Sequence, residues 1–206
     1  FKEVTKGLLQ TTDKFSVSCQ WSIVNCLNMK IVLIGIQGSG KSTQGNLLSR
    51  KLGIHYLSTG HIFRELAKER TSLGRYIKET MNAGYLIPDD KTLDIVIQYL
   101  ARPEYHKGYI LDGFPRTRIQ AESFKNGIDY VIYINISREE ALKRLSLRQD
   151  GRGDETLDAL KRRIELFYKF TEPALSYYKE KGMLHEVNGE KSIDEIHHAI
   201  AKILKI

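Results

Sequence analysis

The sequence predicts an α/β fold built on one doubly wound, parallel, five-stranded sheet, and three observations predict it. From Met29 onward, short runs rich in β-branched residues alternate with longer helical patterns, as strands joined by crossover helices do. A Gly-rich stretch, 35-GIQGSGKSTQ-44, lies where the first such run passes into the first helical pattern. At 206 residues the chain suits one domain with small insertions, and a chain of that size buries roughly 70% of its unfolded surface.

The first run, 30-KIVLIG-35, is a buried strand by length and branching. Residues 41–52 follow as a helix closed by Gly53, and Tyr56-Leu57 form a short strand. Gly60 to Gly84 read as two short helices broken near Thr71–Gly74. Asp89 and Asp90, directly after Pro88, open a helix that runs to about Ala101. A third strand, 108-GYILD-112, leads to a helix after Thr117, and 129-DYVIYINI-136 is the fourth strand. Residues 138–149 are helical up to the break 150-DGRGD-154. A long helical stretch starts near Thr156 and stops at Gly182, with Pro173 as a kink or a new start. Strand 183-MLHEV-187 and helix 192–204 finish the chain. It holds no internal repeat and no low-complexity tract.

Composition excludes several classes. With 28% charged and 41% hydrophobic residues, and no apolar run approaching the roughly 18 residues of a membrane span, we expect no membrane association. The formal net charge of +7 suits phosphorylated small molecules, an anionic surface or nucleic acid. The later arginines are spread through loops and helices rather than gathered in a basic tail, which argues against nucleic acid. Both cysteines, Cys19 and Cys26, precede Met29. The body therefore has neither a disulfide framework nor a Cys-based zinc site, and a reduced cytoplasm is the expected compartment. Residues 1–28 look foreign to the rest: they show no sustained period of 2 or 3.6, and Glu3 and Asp13 spoil any signal-peptide pattern. We expect Met29 to be the true start and 1–28 an upstream reading or a loose extension.

Gly35, Gly40, Lys41 and Ser42 satisfy G-x-x-x-x-G-K-[ST], with a strand before and a helix after. Such a loop turns backbone N–H groups of residues such as Gly38, Ser39, Gly40 and Thr43 onto phosphate oxygens, at a positively polarised helix end. Lys41 is placed for the β/γ-phosphates and Ser42 for Mg²⁺. A Gly-rich turn by itself would be bland; in this context it means ATP or GTP. Mg²⁺ also needs an acid at the end of a neighbouring strand, and 109-YILD-112 supplies Asp112.

The acceptor is named by a wider set of motifs: 38-GSGKSTQ-44, 57-LSTG-60, Arg64, 83-AGYLIP-88, 111-LDGFPRT-117, Gln120, 148-RQDGR-152 and 162-RRIELFYKFTEP-173. In this order and at these distances they resemble a nucleoside monophosphate kinase, most closely an adenylate kinase of the short-lid type, from Met29 to about Leu204. The resemblance implies the P-loop NTP hydrolase fold, with a small NMP-binding insertion at about 58–87 and a short lid at about 149–156. It implies that Arg64 and Arg116 clamp the acceptor monophosphate through planar, bidentate guanidinium groups. Gln120 would read adenine, with Thr59, Gly113, Phe114, Pro115 and the backbone of Tyr85, Leu86 and Ile87 around the acceptor. Arg148 and Lys191 would face ATP, while Arg152 and Arg163 would reach the acceptor and the transferred group. Lys41, Arg116, Arg148, Arg152 and Arg163 would then carry catalysis, which in phosphoryl transfer is mostly electrostatic. No strong base is needed, because the acceptor phosphate is already an anion.

Gly151 and Gly153 around Arg152 make the lid a compact connection, without the length or the cysteines of zinc-holding lids. Three departures stand out. Gln37 and Ser42 replace the usual Pro and Gly, the Arg148-to-Arg152 spacing is short, and His61 stands where an Asp is usual. That His is either a neutral hydrogen-bonding substitute, a charge that titrates near pH 6–7, or a tolerated capping residue. The expected reaction is ATP + AMP ⇌ 2 ADP with Mg²⁺, no zinc, by a monomer. The alternatives are a pyrimidine (UMP/CMP) monophosphate kinase, against which Thr59, Thr117 and Gln120 speak, and a catalytically weak nucleotide-binding regulatory protein.

Overall fold

The computed structural model describes residues 28–147 and 156–206. Residues 1–27, Arg148, Arg152 and nearly all of the expected lid lie outside the described residues.

Five parallel strands form the sheet: β1 (Lys30–Ile34), β2 (His55–Ser58), β3 (Tyr109–Asp112), β4 (Tyr130–Asn135) and β5 (Leu184–Asn188). Their order is β2-β3-β1-β4-β5. The chain moves to one side of β1 for β2 and β3, then crosses to the other for β4 and β5. That reversal opens a crevice at the carboxyl end of β1, the usual place for a ligand in such sheets.

The central strands β1, β3 and β4 are largely buried on both faces, which explains their continuous apolar runs. Val32 and Ile34 of β1 join one core with Leu57, Leu111 and Val131. Ile31 and Leu33 join the other with Ile110, Ile132 and Ile134. Helix α1 (Lys41–Leu52) covers the second face through Leu48 and Leu52, beside the C-terminal helix α9 (Ile193–Leu204) through Ile196, Ile200 and Leu204. The first face is covered by α4 (Asp89–Leu100), α5 (Arg118–Ser123), α7 (Leu157–Leu166) and α8 (Glu172–Glu180). Between β2 and α4 lie α2 (Thr59–Leu66) and α3 (Ser72–Asn82), and α6 (Arg138–Ser146) follows β4.

Local chemistry sets several boundaries. Thr71, Thr117, Ser137 and Thr156 cap α3, α5, α6 and α7 by accepting a backbone N–H, and Ser192 and Glu195 form a capping box on α9. Pro173 lies inside one continuous helical run, Leu157 to Glu180: the helical turn widens over Phe167–Thr171, just before the proline, and the run continues as α8. A single 3₁₀ turn at Pro103–Tyr105 was not legible in the sequence.

The segment α2–α3 has its own small core of Phe63, Ile77 and Ile87. Burying each such side chain contributes roughly 1.5–3 kcal/mol, so this unit is held much more weakly than the sheet.

Candidate active site

Helix α1 starts without a side-chain cap. Gly40 precedes it at φ 90°, a left-handed conformation that only glycine adopts at little cost. The first N–H groups of α1 therefore point, uncovered by side chain, at the mouth of the crevice. Lys41 Nζ donates to the carbonyls of Gly35 at 2.7 Å and Ile36 at 2.9 Å, and to Ser39 Oγ at 3.3 Å, which holds its charge inside the loop. Ser39 is fully buried, while Gly38, Gly40, Lys41, Ser42 and Thr43 line a cleft of about 380 Å³.

Pairing of β1 with β3 sets Leu33 opposite Asp112, so the carboxylate arrives beside the loop. Asp112 is buried. Its Oδ2 accepts from Ser42 Oγ at 3.2 Å and from the Tyr56 hydroxyl at 2.6 Å, while its buried Oδ1 has no hydrogen-bond partner. A buried carboxylate oxygen without a donor, next to a hydroxyl and a phosphate loop, is a hard-oxygen set that fits Mg²⁺. Among the described residues there is no group of three or more His, Cys, Asp or Glu side chains that could hold a metal by themselves. Beyond Asp112 and Ser42, the ion's other ligands would be phosphate and water oxygens.

Tyr56, read from the sequence only as a strand position, proves to be a hydrogen-bond partner of Asp112. Its ring lies across α1 at Gly45, where a Cβ would come within 2.3 Å of the ring. Burial first, then the Asp112 charge, pushes the Tyr56 phenol well up, so it stays a proton donor to the carboxylate. An aromatic phenol facing a Gly one strand–helix crossing away is the only signal that could have found it.

Three arginines, Arg64, Arg116 and Arg163, line the cleft together. Arg116 is anchored by Nε donating to Gly113 O at 2.7 Å, and its carbonyl accepts from Thr171 Oγ1 at 2.9 Å. Burial, then the charge of Arg163, lowers the Arg116 guanidinium's proton affinity; Asp112 acts the other way and Arg64 adds to the lowering. Mutually repelling cations held in one half-buried place are a receptor for a polyanion.

Gln120 is buried and ordered at both ends. Its Oε1 accepts from Arg116 N–H at 2.7 Å and its Nε2 donates to Asp89 Oδ1 at 2.8 Å. An amide has two donors and two lone pairs, so each end keeps capacity for one further bond. Tyr85, Leu86, Ile87, Gly113 and Pro115 also line the cleft.

Other expected residues sit elsewhere. Phe114 is fully buried and packs edge-on against Phe124, with ring centroids 5.1 Å apart. Thr59 is buried and donates to the Asp112 carbonyl at 3.1 Å. Lys191 is exposed, with Nζ 3.8 Å from Glu195 Oε1, and is not among the cleft residues. His61 is exposed on α2, between the cleft residues Gly60 and Arg64, and its backbone N–H donates to Ser58 Oγ at 3.4 Å. Arg144, by contrast, lines the cleft beside Gly38; its Nε donates to Glu140 Oε1 at 2.7 Å. It was not singled out in the sequence, where Arg148 drew the attention instead.

The chain matches the family model described as adenylate kinase over residues 33–183. It is 34% identical to an adenylate kinase of Bacillus velezensis over 212 aligned positions, which cover 85% of this chain and 98% of the relative. It is 37% identical to an adenylate kinase of Clostridium botulinum (strain Loch Maree) with the same coverage. With an adenylate kinase of Oceanobacillus iheyensis the identity is 34%, covering 86% of this chain and 99% of the relative. Alignments of 212 positions exceed the 206 residues of the chain, so these relatives carry residues that it lacks. The motifs, the sheet that brings them together and these likenesses agree: the chain belongs to the adenylate kinase family.

Proposed function

We propose that this protein transfers the γ-phosphoryl group of ATP to AMP, giving two ADP. A phosphate oxygen of AMP forms the new bond to the γ-phosphorus. The bond from that phosphorus to the β–γ bridging oxygen breaks, leaving its electron pair on ADP. The observation that carries this reading is the pairing, across one cleft, of a phosphate loop with the Arg64–Arg116–Arg163 cluster. A donor polyphosphate and an acceptor monophosphate each then have a cationic seat.

Gly38, Ser39, Gly40, Lys41, Ser42 and Thr43 hold the donor phosphates, and Arg144 adds charge on that side. Arg64 and Arg116 hold the acceptor phosphate, and Gln120, with the backbone of residues 85–87, meets its base. Arg163 lies with them in the cleft and serves the moving group; Arg148 and Arg152, which lie outside the described residues, join it in our reading. Ser42 and Asp112 would hold Mg²⁺, largely through water, and the ion would neutralise charge on the donor phosphates. Residues 58–87 act as the acceptor segment and 149–156 as a short lid in our reading, supported by Gly60, Arg64, Tyr85, Leu86 and Ile87 lining the cleft. A zinc-free monomer in the cytoplasm is the form we propose, supported by a cysteine-free body. No helix among the described residues is long and apolar enough to cross a membrane.

The test is ATP consumption with Mg²⁺ against AMP, CMP, UMP and GMP in parallel. Turnover with AMP well above the others is expected. Preference for a pyrimidine would reject the adenine assignment, and no turnover with any acceptor would reject the reaction.

A further inference from the structure

The acceptor segment ends at residues 81–85, and α7 is fastened to that end by contacts that the reaction above does not use. Arg162 Nη1 donates to the Ala83 carbonyl at 2.6 Å, and its guanidinium lies over the Tyr85 ring, 4.7 Å from the centroid. Arg163 Nη2 donates to the Met81 carbonyl at 2.9 Å. Between them the backbones touch: a Cβ on Gly84, itself at φ 76°, would sit 2.8 Å from Ala159 O and 2.9 Å from Ala159 Cα.

Met81 and Ala83 belong to the last turn and cap of α3, where carbonyls run out of helical donors and partial negative charge collects. Two guanidinium groups are well matched to that end. They are not equivalent, however. Neighbouring residues on a helix point about 100° apart, so Arg163 reaches the cleft and Arg162 does not line it. What Arg162 holds is the backbone that runs directly into Tyr85, Leu86 and Ile87, the strip that lines the acceptor pocket. Tyr85 turns its ring outward, 55% exposed, under the guanidinium. Helix α7 itself starts at Leu157, directly after its cap Thr156, where the expected lid ends.

We infer that Arg162 is a positioning residue for the acceptor site. It pins the C-terminal hinge of the acceptor segment to the helix that leaves the lid, and so keeps the base-lining backbone in place. A planar guanidinium can donate along its edge to Ala83 while its face stacks on Tyr85; a lysine ammonium cannot do both. The inference rests on residues 58–87 being the acceptor segment.

The experiment is steady-state kinetics of the full chain, varying AMP and ATP separately. Arg162→Ala is expected to raise KM for AMP about five- to tenfold, as loss of a charged hydrogen bond and a stack implies, with kcat and KM for ATP within about twofold. Arg162→Lys should fall between the two. Tyr85→Leu should raise KM for AMP about twofold, and add nothing further in the Arg162→Ala background, since the two act as one contact. An unchanged KM for AMP in Arg162→Ala overturns the inference, as does an equal rise for both nucleotides, which would mean general loosening. If Arg162→Ala does not fold, Arg162→Lys and Tyr85→Leu decide: no shift in KM for AMP in either overturns it. Wild-type protein measured alongside separates the two levels. Failure of the wild type with AMP rejects the proposed reaction, whereas an active wild type with unshifted variants rejects only the role of Arg162.

Discussion

Replacing Tyr56 by phenylalanine isolates one hydroxyl at the centre of the site. The ring stays against Gly45, so packing is kept; what goes is the 2.6 Å bond from the phenol to Asp112 Oδ2. Asp112 would then keep Ser42 Oγ at 3.2 Å as its side-chain donor, with Oδ1 already unpartnered and buried. A hydrogen bond to a charged group is worth about 1.5–3 kcal/mol, and the half-buried phenol regains part of its desolvation cost, so we take about 1.5–2 kcal/mol. Lost from the transition state alone, that energy corresponds to a fall in kcat of roughly 10- to 30-fold. The same loss lowers the melting temperature by about 3–8 °C for a domain of this size. The assay is initial rate against Mg²⁺ concentration at saturating nucleotides, paired with a thermal melt. A larger Mg²⁺ requirement with the fall in rate is expected. A melt shifted as described with unchanged kinetics would show that Tyr56 only braces the fold, and no change in either would refute the argument altogether.

Lys41→Met should lower kcat about 10²–10³-fold, the usual cost of one pre-placed donor at developing charge, while circular dichroism stays native. Ile77→Ala empties the centre of the small Phe63–Ile77–Ile87 core and should cost about 2–4 kcal/mol locally, read as faster amide exchange over α2–α3 than over the sheet. Stability should also decline as pH is raised above about 10, because burial pushes the phenols of Tyr56, Tyr109, Tyr133 and Tyr178 up. Tyr109 and Tyr133 are pushed to about 12. In that window the unfolded chain has released protons that the folded chain retains, so each step up in pH favours unfolding. Melting curves from pH 8 to 11 check this, and a flat profile would contradict it.

Much of the molecule was legible in the sequence because the governing physics is local. Period, branching, caps and the Gly–Pro punctuation depend on residues a few positions apart, and they place the strands, most helices and the phosphate loop close to their observed limits. The widened turn at Phe167–Thr171, just before Pro173, carries no such local signal; there Thr171 donates to the Arg116 carbonyl, 55 residues away.

The site divides in the same way. The sequence by itself carried the phosphate-loop pattern at 35–42 and, through the order of its motifs, the likeness to a nucleoside monophosphate kinase. Only the tertiary structure decided which side chains converge. Strand order β2-β3-β1 carries Tyr56 and Ser42 onto one carboxylate, buries Phe114 in the core and turns the Thr59 hydroxyl to Asp112 O. Packing of α7 on the end of α3 sets Arg162 against Ala83 and Tyr85. These partners are separated by tens of residues, and no local pattern encodes them; they meet because burying both faces of one parallel sheet leaves few ways to arrange the helices around it.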